Sequence, residues 1–300
     1  MPKGLVPVLS GVLLLAFASS GCTPPNRVIL QAKGSDTLLP LVRAWARDFE
    51  IDQPHVSIHI SGGGTTRGLS ALKRGTVDFA NASRPVARNA KGQLIFPAEE
   101  KFPGVEHAVA RDAVAVYVHP SNPIKSLSFE QLAGLYRQPA TIRAWGDLDV
   151  EVPNCERGEI LVLNHDDNSG TRKFFQGKVL PDDEFRTGLH EVSRAEEVTA
   201  IIAGDPCAIG FASLGLPHDG VSTPCVSETA DGLCVVPNLL TASTGEYPLH
   251  RLLYFYIPKE TFPEVEKFVE WVKQPEGQCI AQHNGYAPLE MPVGGKGCKP

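Results

Sequence analysis

Three stretches of this chain share one pattern: a short apolar run, a turn rich in Gly, Ser and Thr, and then apolar residues at helical spacing. The apolar runs lie at residues 28–32, 56–60 and 160–163, and the turns at residues 34–37, 61–68 and 168–171. A short apolar or alternating run predicts a strand, and apolar residues three or four apart predict a helix. Repeated strand–turn–helix units predict an α/β fold with parallel strands.

The three turns would place the beginnings of three helices at one edge of the sheet. The first backbone N–H groups of a helix have no partner within it, and the positive end of the helix dipole lies there. Such an end binds anions, and at the third turn Ser169, Gly170 and Thr171 add hydroxyl donors. We therefore predict one anion shared by the three turns. An ordinary Ser/Thr cap with a solvated Arg172 is the alternative for the third turn taken alone.

Length, composition and charge narrow the class of protein. The chain has 300 residues, enough for one large or two medium domains, and its 42% hydrophobic and 21% charged content is that of a soluble globular protein. The net charge of −6 gives no electrostatic reason to bind nucleic acid or an anionic membrane surface. An anion would therefore be held by local donors.

The first 21 residues read as an export signal. Lys3 precedes an apolar run at residues 5–17 that is too short to span a bilayer comfortably. Residues 18–22, Ala-Ser-Ser-Gly-Cys, resemble a lipoprotein cleavage site, although Ser19 stands where a leucine is usual. We expect residues 1–21 to be removed, Cys22 to carry a lipid anchor, and residues 22–26 to form a linker. Plain secretion with an unmodified Cys22 is the alternative.

Six cysteines remain once Cys22 is set aside, and an even number in an exported chain predicts disulfides. Cys225 and Cys234 flank a predicted hairpin and Cys279 and Cys298 flank the tail, which leaves Cys155 with Cys207. No Cys-x-x-Cys pair occurs, so the sequence gives no reason to expect a zinc site or any other metal or cofactor.

The order of the predicted elements divides the fold into two lobes. An apolar strand at residues 113–118 is followed by Pro120 and Pro123, which favour an extended crossing segment. A second apolar strand, residues 252–257, would bring the chain back. We predict lobe one at residues 27–118 and 255–300 and lobe two at residues 119–254. The ligand would lie in the cleft between them, which would close by hinge motion.

Several short motifs, in this order, resemble the phosphate-binding proteins that serve phosphate ABC transporters, a type II solute-binding family. The motifs are Gly34-Ser35-Asp36-Thr37, Gly62-Gly63-Gly64-Thr65, Ala82-Ser83-Arg84-Pro85, Asn168-Ser169-Gly170-Thr171-Arg172 and Glu246-Tyr247-Pro248-Leu249. The resemblance covers roughly residues 28–288. It implies a two-lobe periplasmic-binding-protein-like α/β fold with two hinge crossings. It also implies a monomeric, exported and lipid-anchored protein, in the periplasm or on the outer cell surface, that passes inorganic phosphate to an ABC permease and is not an enzyme.

The same resemblance implies a set of ligand residues. Matched position by position, they are Thr37 with the backbone N–H of Leu38, Thr65, and Ser169, Gly170 and Thr171, with Ser35 as a secondary candidate. Backbone N–H and hydroxyl groups hold an anion without the desolvation cost of several lysines.

Two positions depart from the best-known form of the family. Arg84 stands where that form has an aspartate that accepts the proton of hydrogen phosphate, and His165 stands where it has an arginine that supplies charge. We include both in the predicted site. His165 would be a titratable donor with a reference pKa of about 6.5, or else a structural histidine. Candidates for a replacement acceptor are Asp36, Asp112, Asp166 and Asp167.

Other functions remain open at this point. The ligand could be another oxyanion such as sulfate, arsenate or molybdate, or the protein could be a lipoprotein that senses an anion without transport. A phosphatase is disfavoured because the sequence has neither a Gly-x-Ser-x-Gly motif nor a P-loop.

Overall fold

A computed structural model describes residues 27–88, 95–96, 100–101, 104–156 and 158–290. The predicted signal peptide, the predicted lipidation site Cys22, the predicted linker and Cys298 lie outside the described residues. No helix within the described part of the chain is long and apolar enough to cross a membrane.

The described elements alternate between strands and helices along most of the chain. The helices are α1 Leu39–Asp52, α2 Thr65–Lys73, α3 Phe129–Tyr136, α4 Gly170–Val179, α5 Glu196–Gly204, α6 Leu239–Thr244, α7 Pro263–Lys273 and α8 Pro275–His283. The strands are β1 Val28–Gly34, β2 Val56–Ser61, β3 Phe79–Ala82, β4 Ile95–Phe96, β5 Glu100–Lys101, β6 Gly104–Val118, β7 Ser126–Ser128, β8 Leu161–His165, β9 His190–Val192, β10 Ala208–Ser213, β11 Cys225–Ser227 and β12 His250–Pro258.

One long sheet connects the two lobes, with strand order β2-β1-β3-β12-β6-β10-β8-β9. In lobe one, β1 pairs in parallel with both β2 and β3, and in lobe two β8 pairs in parallel with β9 and β10. The three predicted strand–turn–helix units are present as β1–α1, β2–α2 and β8–α4. The predicted two-lobe α/β fold is confirmed.

Strands β6 and β12 carry the chain between the lobes. Residues 104–113 of β6 pair antiparallel with β12, and residues 114–118 pair antiparallel with β10. A single strand of 15 residues therefore belongs to lobe one at its beginning and to lobe two at its end. The predicted lobe boundary after residue 118 lies a few residues beyond the point where the pairing partner changes.

Each lobe has its own apolar core. In lobe one, α1, α7 and the sheet meet through an aromatic cluster that includes Trp45, Phe255 and Phe268. In lobe two, Phe175 of α4 stacks on Phe211 of β10 with 3.9 Å between ring centroids. Because these contacts hold α1 against β12 and α4 against β10, they help to fix where each helix begins.

Two of the predicted disulfides are confirmed: Cys155–Cys207 and Cys225–Cys234. The pairing of Cys279 with Cys298 stays a prediction, since Cys298 lies outside the described residues. The hairpin predicted around the second disulfide is confirmed only in part. Strand β11 pairs in parallel with β7, and only one isolated bridge, between Val226 and Val235, joins the two sides of the loop.

Candidate anion-binding site

A narrow cavity lies between the two lobes at the predicted turns. Its lining residues are Ser35, Asp36, Thr37, Gly64, His165, Asp166, Ser169, Gly170, Thr171, Val192, Ser193 and Ala195. Most of the predicted ligand residues are brought together here, but Leu38, Thr65 and Arg84 do not line the cavity. No group of three or more potential metal-ligating side chains occurs among the described residues.

The first turn is held by the end of β3. The backbone N–H of Ser35 donates to the Asn81 carbonyl at 2.9 Å, and the Asn81 side-chain amide donates to the Ser35 carbonyl at 2.9 Å. A Cβ on Gly34 would lie 1.9 Å from the Asn81 carbonyl oxygen, so only glycine allows this approach. The result is that Thr37 is buried at the start of α1, with Leu38 in the N-cap position.

The second turn needs glycine for its backbone conformation. Gly63 and Gly64 have φ values of 109° and 92°, which residues with a side chain rarely adopt. Asp36 Oδ1 accepts the Gly63 N–H at 2.8 Å, which ties the second turn to the first. The Thr65 hydroxyl oxygen accepts the Ser83 N–H at 3.1 Å. Thr65 therefore holds the end of β3 rather than lining the cavity.

The third turn is a capped helix start. Ser169 is the N-cap residue of α4, and its Oγ accepts the Arg172 N–H at 3.2 Å. The Arg172 guanidinium donates to the His165 carbonyl at 2.7 Å and to Glu191 at 2.6 Å, and it pairs with Asp167 at 3.1 Å. Arg172 is thus neither solvated nor directed into the cavity. It fixes the turn.

The two lobes contact each other directly across this cavity. The Thr37 and Thr171 hydroxyl oxygens, one from each lobe, are 3.0 Å apart. The Thr66 N–H donates to the Asn168 carbonyl at 3.3 Å. A Cβ on Gly170 would lie 2.4 Å from Ser83 Oγ and from Thr65 Oγ1 in the opposite lobe. The structure therefore shows a closed cleft whose lobes meet at small residues.

A buried ion pair lies behind the two threonines. Arg251 of β12 donates from Nε and Nη2 to Asp112 Oδ2 of β6, at 3.0 and 2.8 Å. The same Nη2 lies 3.1 Å from Thr171 Oγ1 and 3.4 Å from Thr37 Oγ1. Arg251 Nη1 is buried and has no hydrogen-bond partner among the described residues. The site therefore has a fixed positive charge that touches hydroxyls from both lobes.

Burial raises the pKa of Asp112, while the Arg251 guanidinium and the Ser213 hydroxyl, which donates at 2.6 Å, oppose that rise. Arginine stays protonated at all physiological pH values, and its Nε–H and Nη2–H groups favour the ionised carboxylate of Asp112. Asp112 was predicted from the sequence only as a replacement acceptor, and Arg251 was not predicted. The available signal was a charged residue directly before an apolar run in each strand, Asp112 before residues 113–118 and Arg251 before residues 252–257.

His165 is 3% exposed at the end of β8. Its Nε2 lies 2.7 Å from the Phe211 carbonyl oxygen. Burial lowers the pKa of His165 to about 4, with the Phe211 carbonyl opposing and Arg251 adding to that effect. The titratable donor predicted from the sequence is therefore not expected near neutral pH, because a pKa of about 4 favours the neutral ring there.

Arg84, also predicted as a ligand residue, does not line the cavity. The Arg84 guanidinium donates to the Pro85 carbonyl at 3.2 Å, and its Nε is buried with no partner in the described part of the chain. Burial lowers the pKa of Arg84. A further helix start, missed by the sequence analysis, lines the cavity through Ser193 and Ala195 before α5. The Glu197 carboxylate accepts the Ser193 N–H at 3.1 Å. The N–H group at this helix start is therefore already bonded to a carboxylate of the same helix.

A family model described as a PBP superfamily domain matches residues 22–276. The chain therefore belongs to this superfamily of periplasmic-binding-protein-like proteins. Its curated relatives include the phosphate-binding proteins PstS of Pseudomonas aeruginosa and Bacillus subtilis. Each is 28% identical, over 90% and 87% of this chain and 86% and 80% of the relative. The resemblance on which the sequence analysis relied is confirmed.

Solved structures agree with the fold. A substrate-binding protein from Clostridium perfringens with bound phosphate aligns with a TM-score of 0.75 at 23% identity, over 87% of this chain and 100% of that one. A phosphate transport receptor from Vibrio cholerae aligns with a TM-score of 0.67 at 22% identity, over 88% and 100%.

Closure can be tested at Gly170. We expect Gly170→Ala to block full closure, because the new Cβ would collide with Ser83 and Thr65 of lobe one. Gly177→Ala is the matched control. Gly177 lies on the same helix as Gly170, and a Cβ there would have no neighbouring atom within 4 Å. Small-angle scattering should show a more open Gly170→Ala protein and no change for Gly177→Ala. Identical scattering curves for both variants would contradict the contact described here.

Proposed function

We propose that this protein captures inorganic phosphate in the cleft between its lobes and delivers it to an ABC permease. The observation that carries the proposal is the meeting of Thr37 and Thr171 with Arg251 behind them. Two helix starts from opposite lobes and one buried cation converge on one small cavity. The names of the relatives support phosphate as the anion.

The chemistry of the cleft suits a small tetrahedral anion. Hydroxyl groups and first-turn N–H groups are short, fixed donors that can surround oxygens on several sides. Hydrogen bonds to a charged partner are about twice as strong as those between neutral groups. Arg251 adds charge without entering the cavity, since Asp112 and the two threonines hold its guanidinium in place. Opening of the lobes would then admit and release the anion.

The hydrogen bonds of the potentially reactive side chains in the cavity support binding of the anion rather than catalysis. The His165 ring donates to a backbone carbonyl, and the Ser169 hydroxyl accepts a backbone N–H within its own helix turn. Neither is arranged as a nucleophile with its base, which would require a hydrogen bond between the two side chains. A lipoprotein that senses phosphate is the alternative. Phosphate uptake that depends on this protein and on a permease would support transport.

The proposed location is outside the cytoplasmic membrane, with a lipid on Cys22 as the anchor and the folded protein as a monomer. The apolar run at residues 5–17 and the small residues before Cys22 support this part of the proposal.

Metabolic labelling with radioactive palmitate tests the anchor. We expect label in the wild-type protein and none in Cys22→Ala, because a thioether-linked lipid needs the cysteine sulfur. The variant should also leave the membrane fraction. Equal labelling of both, or a wild-type protein that is never labelled and stays soluble, would exclude lipidation at Cys22.

The two hydroxyls can be tested by isosteric substitution. We expect Thr37→Val and Thr171→Val each to weaken phosphate binding about tenfold or more, since a hydrogen bond to a charged group contributes roughly 1.5–3 kcal/mol. Calorimetry with phosphate measures the effect. Thr244→Val, at the exposed end of α6, is the control and should bind like the wild type. Wild-type affinity in both cleft variants would show that the anion binds elsewhere.

The ion pair requires a paired substitution. Arg251→Gln alone leaves Asp112 as an unpaired buried charge, and such losses cost about 3–5 kcal/mol. The double variant Asp112→Asn/Arg251→Gln removes both charges and keeps polar partners, so we expect it to be more stable than the single variant. We also expect it to bind phosphate at least about tenfold more weakly, because the site has lost its cation. Urea denaturation and calorimetry give the two results, and full phosphate affinity in a folded double variant would show that Arg251 is structural only.

A further inference from the structure

We propose that His165 Nδ1 accepts a hydrogen bond from the protonated oxygen of the bound anion. The cleft would then select oxyanions that keep a proton, such as phosphate and arsenate, over fully ionised ones such as sulfate. This inference rests on the proposed function and assigns His165 the opposite role from the donor that the sequence suggested. It supplies the acceptor that Arg84 cannot provide.

The orientation of the ring fixes which nitrogen carries hydrogen. Nε2 lies 2.7 Å from the Phe211 carbonyl oxygen, and a carbonyl can only accept. Nε2 must therefore be the N–H donor. In a neutral imidazole with hydrogen on Nε2, the other nitrogen, Nδ1, carries a lone pair and no hydrogen.

That lone pair is available to the cavity. His165 lines the cavity, and Nδ1 makes no hydrogen bond to a described residue. The Phe211 contact holds the ring, and the ring also packs against the Phe211 side chain with 5.2 Å between centroids. His165 thus brings a fixed acceptor to the cavity that Thr171 and Ser169 also line.

Charged groups around the ring favour its neutral form. Arg251 from β12 and Arg172 from α4 both disfavour a positive ring, as burial does, and Asp166 opposes them. The pKa of about 4 follows from these causes, with burial the largest. At neutral pH, Nδ1 is therefore an acceptor and not a second donor.

A fixed acceptor discriminates between tetrahedral anions through their protons. Hydrogen phosphate and hydrogen arsenate carry an O–H at neutral pH that can donate to Nδ1. Sulfate carries none, so its oxygen would face the Nδ1 lone pair and leave two acceptors opposed without a hydrogen atom between them. Specificity commonly depends on such an unfavourable contact with the wrong ligand.

The carboxylates that line the cavity are less suited to this role. Asp36 Oδ1 already accepts the Gly63 N–H, and Asp166 Oδ1 accepts the Asn168 N–H at 2.9 Å. Both side chains are partly exposed, whereas His165 is buried. A carboxylate would also repel the bound anion through its negative charge. A neutral imidazole can accept the hydrogen bond from the protonated oxygen without that repulsion.

The test compares three anions and four proteins at pH 7.5. Competition calorimetry gives dissociation constants of phosphate, arsenate and sulfate for the wild type, His165→Phe, His165→Arg and Asp36→Asn. Neither substitution at His165 leaves an acceptor, so we expect the sulfate-to-phosphate ratio of dissociation constants to fall about tenfold or more in both. The arsenate-to-phosphate ratio should not change in any protein, and Asp36→Asn should keep the wild-type sulfate ratio.

Nitrogen-15 NMR of histidine-labelled wild-type protein provides a readout that needs no variant. We expect the Nδ1 resonance of His165 to be that of an unprotonated nitrogen, and to shift on addition of phosphate or arsenate as the hydrogen bond forms.

The outcomes separate the two proposals. A wild-type protein that binds none of the three anions would overturn the proposed function. Phosphate binding with an unchanged sulfate ratio in the His165 variants, or a loss of that ratio in Asp36→Asn alone, would overturn the role of His165 and leave phosphate capture standing. A protonated Nδ1 in the NMR spectrum would overturn it as well.

Discussion

The Asp112–Arg251 ion pair is the interaction on which the rest of this structure depends. Asp112 and Arg251 are direct partners across β6 and β12, the two strands that carry the chain between lobes. The pair lies where β6 exchanges β12 for β10 as its neighbour. An ion pair at this place costs free energy to bury. That cost is offset by the hydrogen bonds that Ser213 and the two threonines add around it.

Closure of the cleft depends on the absence of side chains as much as on contacts. Gly64 leaves room for the Asn168 carbonyl, which a Cβ would approach to 2.6 Å, and Gly170 leaves room for Ser83. These glycines let backbone groups from opposite lobes come within hydrogen-bond distance. Arg251 reaches the same region from the hinge strands, with its Cζ 5.4 Å from the centre of the Phe174 ring of lobe two. The contacts that close the cleft and the positive charge of Arg251 therefore lie in the same region between the lobes.

Local patterns predicted the units of the fold, and the resemblance placed most of the cavity residues. The strands and the capped start of α4 depend on neighbours a few residues apart, which a sequence shows directly. Arg251 could not be assigned in this way. Its partner is 139 residues away, and their contact depends on the register of two strands. The role of His165 likewise depends on one carbonyl of β10, which only the folded chain brings to Nε2.

These features together explain how a chain with a net charge of −6 can hold an anion. The ion pair is neutral as a unit, and its arginine is the member that contacts the cavity hydroxyls. His165 is neutral, and the remaining donors are dipoles that need no counter-charge. The ion pair and His165 therefore add little net charge to desolvate when the cleft closes, and a bound anion would meet one nearby cation and several hydrogen-bond donors, together with the Asp36 and Asp166 side chains that also line the cavity. Because the donors come from both lobes, full binding requires closure, which couples the presence of the anion to the shape of the protein.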